Sequence, residues 1–155
     1  MKRKSQRGLT LIELVVAFTI MLVISTLALP LARIKIRTQR EADLRYALAE
    51  MRKAIDKYKD NCDAGYFGPP KLGADCYPDS LDVLVEGKTL ANDPNGTKLK
   101  FLRRIPKDPF TGKYEWGTRS TQDDPKSKSF GGQSVFEVYT KTDDKAPDGT
   151  PYAEW

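Results

Sequence analysis

The side chains able to do chemistry in this sequence are few in kind. Its 155 residues include no histidine, two cysteines and 21 carboxylates. Without histidine, neither a Ser-His-Asp nor a Cys-His arrangement can be built. No P-loop, G-x-G-x-x-G or metal-ligand helix occurs, and nothing singles out one pair of acids as a catalytic couple. Cys62 and Cys76 lie in a loop rich in Gly and Pro. Two thiolates do not complete a zinc site, and their spacing is not C-x-x-C. In an exported domain the simplest chemistry for the pair is a disulfide. It would close a loop of about 15 residues and contribute roughly 3 kcal/mol in the chain-entropy model. Asp143, Asp144 and Asp148 fall within one short loop. Clustered oxygens suit a hard cation such as calcium, although no EF-hand pattern is present and such a run is ordinarily a solvated acidic loop. The last candidate is Glu13. It is the one charge in an apolar run from Leu9 to Ala32, and an ionisable group in such a run is a functional suspect by default.

The element that must position Glu13 is a helix. Twenty-four residues at about 1.5 Å each reach roughly 36 Å, enough to cross a bilayer core. Lys2, Arg3, Lys4 and Arg7 precede the run, which places that end in the cytoplasm. Arg33, Lys35, Arg37 and Arg40 follow it, so charge bias alone leaves the orientation open. The net charge of +5 has little to do with nucleic acid: of 26 basic residues four lie before Gly8, leaving 22 against 21 acidic ones. A cleaved secretory signal has a shorter apolar core and a small-x-small site. This run carries Glu13 and ends near Pro30-Leu31-Ala32. A plain signal anchor accounts for the length and leaves the glutamate unexplained.

The stretch Lys4-Ser5-Gln6-Arg7-Gly8-Leu9-Thr10-Leu11-Ile12-Glu13 resembles the class III leader of type IV pilins and type II secretion pseudopilins. In that family a short basic leader ends in Gly, an apolar residue (usually Phe, here Leu9) follows, and Glu is the fifth mature residue. Glu13 is fifth counting from Leu9, and Pro30 stands where the family commonly has a helix-breaking proline. The resemblance implies cleavage after Gly8 by a prepilin peptidase and methylation of the new Leu9 amine. It also implies extraction from the membrane into a helical filament. A lone carboxylate among bundled apolar helices is costly unless paired, so Glu13 is expected to pair with the N-terminal amine of a neighbouring subunit and fix register. Pro30 lacks an N–H and is expected to bend or loosen the helix near Thr26–Leu29; a merely tolerated membrane-helix proline is the alternative.

Beyond the run, Leu44, Leu48, Met51, Ile55 and Tyr58 recur in steps of four and three, one apolar stripe on a polar helix. Glu41 stands four residues before Arg45, a weak helix pair. The helix is expected to stop near Asn61–Gly65. Residues 80–86 read as a short helix with Asp79 or Ser80 as cap and Leu81, Leu84 and Val85 inward. Residues 92–96 read as a turn. Residues 105–116 read as a strand, a turn at Thr111-Gly112 and a second strand from Tyr114, and Val135 to Tyr139 as the clearest strand. Tyr77-Pro78-Asp79-Ser80-Leu81 and Pro106-Lys107-Asp108-Pro109 resemble segments of the major pseudopilins of type II secretion. The resemblance further implies calcium in the loop after the last strand.

These readings give an α+β, pilin-like chain: a long N-terminal helix on a small antiparallel sheet. Its parts are a leader (1–8), a transmembrane or filament-core helix (9–32), an amphipathic continuation (33–61) and a periplasmic domain (62–155). The implied role is structural, as the subunit of a pseudopilus that drives protein export. The implied partners are further copies of itself, prepilin peptidase, the inner-membrane assembly platform and minor pseudopilins. The alternative is a type IV pilin for adhesion, twitching or DNA uptake. It is disfavoured by the early position of the cysteines, since type IV pilins more often have a C-terminal disulfide loop.

Overall fold

A computed structural model describes residues 10–69 and 75–155, with the side chains of residues 27–31 outside the description. Two compact units are present, Met1–Gln39 and Arg40–Trp155. One helix, α1 (Leu11–Asp63), contributes to both.

In the first unit, α1 begins because Thr10 caps it. The Thr10 hydroxyl accepts the Glu13 N–H at 3.3 Å, and its carbonyl accepts the Leu14 N–H at 3.2 Å. The described side chains from Leu11 onward are exposed on every side of the helix, Leu11 at 82% and Ile24 at 62% among them. α1 continues as one element through position 30. The bend expected at Pro30 falls among side chains outside the description.

In the second unit the five stripe residues Leu44, Leu48, Met51, Ile55 and Tyr58 are all buried, as their spacing predicts, and Ala47 and Ala54 widen the stripe. The helix ends in a glycine cap. Gly65 takes a positive φ of +81°, its N–H reaches the Cys62 carbonyl at 2.8 Å, and the Tyr66 N–H reaches that of Asn61 at 3.1 Å. This double bond to the last turn is the Schellman arrangement, which only a residue tolerant of left-handed φ accommodates cheaply.

A short helix, α2 (Leu81–Glu86), buries Leu81 and Leu84 with Ser80 as its N-cap residue. The chain then forms two small antiparallel sheets. Strands β1 (Lys88–Thr89) and β2 (Lys98–Leu99) pair Lys88 with Leu99. Strands β3 (Gly117–Arg119) and β4 (Glu137–Tyr139) pair Gly117 with Tyr139. The turn at 92–96 is closed by Asp93, whose carboxylate accepts the N–H groups of Asn95 and Thr97 at 2.8 and 3.2 Å.

The hairpin expected over 105–116 is not a hairpin. Asp108, fully buried, accepts the Phe110 N–H at 2.8 Å and the Thr140 hydroxyl at 2.6 Å. Its own N–H and carbonyl close the turn to Lys113 and Gly112, each at 2.8 Å. Pro106 and Pro109 supply no N–H for a ladder, and the aspartate takes up the donors that remain, so local side-chain bonding displaces strand pairing. The strand begins only at Gly117. A Cβ there would lie 2.2 Å from the Tyr139 ring, so the position demands glycine.

Candidate functional site

The feature most suited to a function beyond packing is the apolar first half of α1. Glu13 is exposed there among Leu11, Ile12, Leu14 and Val15. The hydroxyls nearby offer nothing outward: Thr19 donates to the Val16 carbonyl at 2.8 Å, Ser25 to that of Met21 at 2.8 Å and Thr26 to that of Val23 at 2.7 Å. A helix with such self-satisfied hydroxyls suits an apolar medium, where an unpaired polar group costs several kcal/mol. A helix apolar on every side is stable in water only when something covers it. Glu13 is then the one group that interrupts a uniformly apolar surface, and it sits at the third position after the Thr10 cap, where the positive end of the helix dipole favours an anion. Gly8 and Leu9 lie outside the described residues. Among the described residues no helix is long and apolar enough to cross a membrane; the apolar run of the sequence also takes in Leu9 and positions 27–31.

Within the second unit, three fastenings hold the rest of the chain to the part of α1 from Arg40 on. At the far end of the helix a disulfide joins Cys62 to Cys76, with Cα atoms 5.5 Å apart and both residues buried. Asp75 and Cys76 adopt positive φ values of 44° and 61°. Non-glycine residues hold that conformation only where their surroundings over-determine it. Midway, Arg52 donates its Nε to Glu137 on β4 at 2.7 Å and a second nitrogen to the main-chain oxygen of Trp155. Near the start of the unit, the Tyr152 hydroxyl donates to Glu41 at 2.6 Å, and the Arg45 guanidinium lies 4.2 Å from the Trp155 ring centre. Tyr152 itself lies tilted against Phe110 and meets Trp155 edge-to-face. These partners were missing from the sequence reading. The signal available was the row Glu41, Arg45, Leu48, Arg52, spaced four, three, four, which flanks the apolar stripe and so lies at the edge of the packed face.

Beside Arg52 a groove of about 390 Å³ is lined by Arg119, Lys126, Glu137 and Glu154 among others. Its charges are already engaged. Lys126 lies 3.7 Å from Glu154, and the buried Arg119 donates to the Ser127 carbonyl at 2.7 Å while stacking on Tyr139 at 3.9 Å. The groove is therefore a fastened seam between loops.

The three candidate calcium ligands are not brought together. Asp143 accepts Lys128 Nζ at 2.6 Å, and that hydrogen bond holds its carboxyl below the ordinary carboxylate range. Asp148 accepts the Thr150 N–H at 2.9 Å, with the same direction of shift. Asp144 uses its carbonyl for the Tyr152 N–H and its own N–H for the Thr142 hydroxyl. No group of three or more His, Cys, Asp or Glu among the described residues is arranged to hold a metal ion. Calcium asks for six to eight oxygens converging on one point. As placed, one carboxylate oxygen of Asp143 is taken by Lys128 and one of Asp148 by the Thr150 N–H, while the bonds of Asp144 are main-chain ones.

Comparison with known proteins agrees with the sequence features. Residues 3–29 match the prokaryotic N-terminal methylation motif. The chain is 29% identical over 116 residues to the Type II secretion system core protein G of Klebsiella michiganensis, covering 74% of this chain and 75% of that protein. The likeness thus extends well past the methylation motif into the second unit. No solved structure matches.

Proposed function

We infer that this chain, a pseudopilin by its methylation motif and its likeness to a type II secretion core protein G, is the structural subunit of a type II secretion pseudopilus. It is made as a prepilin and held in the inner membrane by the apolar half of α1, with the second unit in the periplasm. Prepilin peptidase cuts between Gly8 and Leu9 and methylates the Leu9 amine. Subunits are then drawn from the membrane into a helical filament by the inner-membrane assembly platform, with minor pseudopilins as further partners. An ATPase elsewhere drives addition, and the growing filament pushes substrate toward an outer-membrane channel.

The observation that carries this reading is the exposed, uniformly apolar helix with one carboxylate near its capped start. In the membrane, lipid covers it. In the filament, neighbouring helices cover it, and Glu13 finds a cation at the start of the same apolar run, the N-terminal amine of the next copy. A buried pair of this kind acts best as a register device, since its net contribution to stability is small or negative while its misalignment costs several kcal/mol. The extension of the likeness over 116 residues, beyond the part shared by all prepilins, supports the secretion class over a type IV pilus.

The test is the intact mass and N-terminal sequence of the protein purified from membranes without reductant. A chain beginning at N-methylated Leu9 and two hydrogens lighter than its reduced form is expected. A start at Met1, or cleavage near Ala32, would remove the reading.

A further inference from the structure

The chain contains three asparagines, Asn61, Asn92 and Asn95, and of these Asn95 is followed by glycine. Asn61 is half-buried, and its side-chain nitrogen donates to the Lys57 carbonyl at 2.6 Å. Asn92 is followed by an aspartate. Asn95 and Gly96 are both exposed, in the loop that joins β1 to β2. No hydrogen bond engages the Asn95 side-chain amide among the described residues. Nothing stands within 4 Å of the place a Gly96 Cβ would take, so the glycine nitrogen is open to approach. The order Asp93-Pro94-Asn95-Gly96 is one that a four-residue turn favours. Asp93 holds that turn. Its carbonyl accepts the Gly96 N–H at 3.1 Å, and its carboxylate accepts the Asn95 and Thr97 N–H groups.

We propose that Asn95 and Gly96 form a self-modification site, at which the side-chain amide is lost through a cyclic imide and the turn becomes aspartate or isoaspartate. The inference is independent of the membrane and filament roles. The Gly96 nitrogen gives up its proton to water and attacks the Asn95 Cγ. A bond forms between that nitrogen and Cγ, the bond from Cγ to Nδ2 breaks, and Nδ2 takes a proton and leaves as ammonia. Water then adds to one of the two imide carbonyls and opens the ring. One water is consumed, one ammonia is released, and nothing is oxidised or reduced. Opening at Cγ gives aspartate. Opening at the main-chain carbonyl routes the backbone through Cγ, which adds a methylene to it and leaves the carboxylate as a branch.

The turn gates the reaction, because the Gly96 nitrogen is engaged until its bond to Asp93 opens. β1 and β2 have two residues each, and so short a two-stranded ladder opens at little cost. The other amide or acid followed by glycine is Asp148. The Thr150 N–H holds its carboxyl below the ordinary range, and a carboxylate resists the attack that an amide accepts. The product alters the hairpin in two ways. A new carboxylate stands two residues from that of Asp93, and the like charges repel. The extra methylene of isoaspartate shifts the register that pairs Lys88 with Leu99, and with it the bond from the Leu90 N–H to the Thr97 carbonyl. Since the change accumulates with time, it distinguishes old subunits from new ones.

The experiment incubates the mature full-length protein, in detergent, in water enriched in heavy oxygen at neutral and mildly alkaline pH. Peptide mapping with electron-transfer fragmentation locates the label and separates isoaspartate from aspartate. Label is expected at position 95, in both products, at a rate that rises with pH as more of the Gly96 nitrogen is deprotonated. Asn95→Gln is expected to remove it, because the larger ring closes far more slowly. Asp93→Ala is expected to hasten labelling by roughly tenfold, the effect on turn opening of losing two hydrogen bonds. A wild type left unlabelled at position 95 after weeks overturns the site, whether or not Asp93→Ala takes up label. Equal rates in the two proteins overturn the gating by the turn. Hydrogen exchange at the Leu90 N–H is expected to quicken in the modified chain, and unchanged exchange there overturns the loss of register.

Discussion

Reducing the Cys62–Cys76 disulfide isolates one term in the stability of the second unit. The bond closes a loop with a sequence separation of 14. For a loop of about 15 residues the loss of loop-closure entropy in the unfolded chain amounts to about 3 kcal/mol. Reduction leaves both sulfurs in the core at nearly unchanged volume, so the cavity term that a substitution would add is avoided. Asp75 and Cys76, at one end of the bond, hold left-handed conformations. A total stability in the usual range of about 5–15 kcal/mol makes this a large fraction. A soluble fragment starting at Arg33 is suitable for urea unfolding with and without dithiothreitol. The expected result is a fall of about 3 kcal/mol in unfolding free energy, with a steeper denaturant slope because the reduced unfolded chain exposes more surface. Oxidised and reduced forms with midpoints coinciding to within about 0.5 kcal/mol would refute the reasoning, since loop closure would then contribute nothing.

Other outcomes follow from particular contacts. Glu13→Ala should leave membrane insertion and cleavage intact and should fail to assemble; normal filaments by electron microscopy would discard the register role. Gly117→Ala drives a Cβ into the Tyr139 ring and should cost about 1–3 kcal/mol in thermal unfolding, with Tyr139→Leu in the same chain recovering part of it. The carboxyls of Asp93, Asp123, Asp143 and Asp148 are all held low, chiefly by hydrogen bonds that favour the charged form. A depressed folded pKa means stability that is present above the unfolded value and lost as pH falls through the folded one. Unfolding free energy should therefore decline below about pH 4, and Lys128→Ala should flatten the Asp143 share of that decline. Calcium at Asp143 has to displace Lys128, so Lys128→Ala should tighten any binding in that loop by calorimetry; unchanged heats would place bound calcium elsewhere.

What was legible in the sequence is what depends on local period and local chemistry. The apolar run with one carboxylate, the stripe from Leu44 to Tyr58, the stop at Gly65 and the short helix at 81–86 all rest on neighbours three, four or five positions apart, and the structure places each where that spacing puts it. The cysteine pair was legible for another reason, since a chain with two thiols outside its apolar run and no histidine has one simple use for them. The misreading over 105–116 arose where local polar bonding competes with a pattern. Residues 105–116 alternate well enough for strands, but Asp108 captures the donors a ladder would need. In the last loop, Asp143 is engaged by Lys128 and Asp148 by the Thr150 N–H, pairings that no spacing along the chain announces.

The tertiary structure alone decided which polar groups are internal and what they hold. Arg52 meets Glu137 across 85 residues and Trp155 across 103, and Tyr152 meets Glu41 across 111. Pairings at that distance carry no periodic trace, because they exist only after the hydrophobic stripe has chosen which face of α1 is covered. The apolar half of α1 was legible in the sequence because hydropathy and one isolated charge are read residue by residue. The domain was not, because each of its polar contacts depends on every other part being packed first.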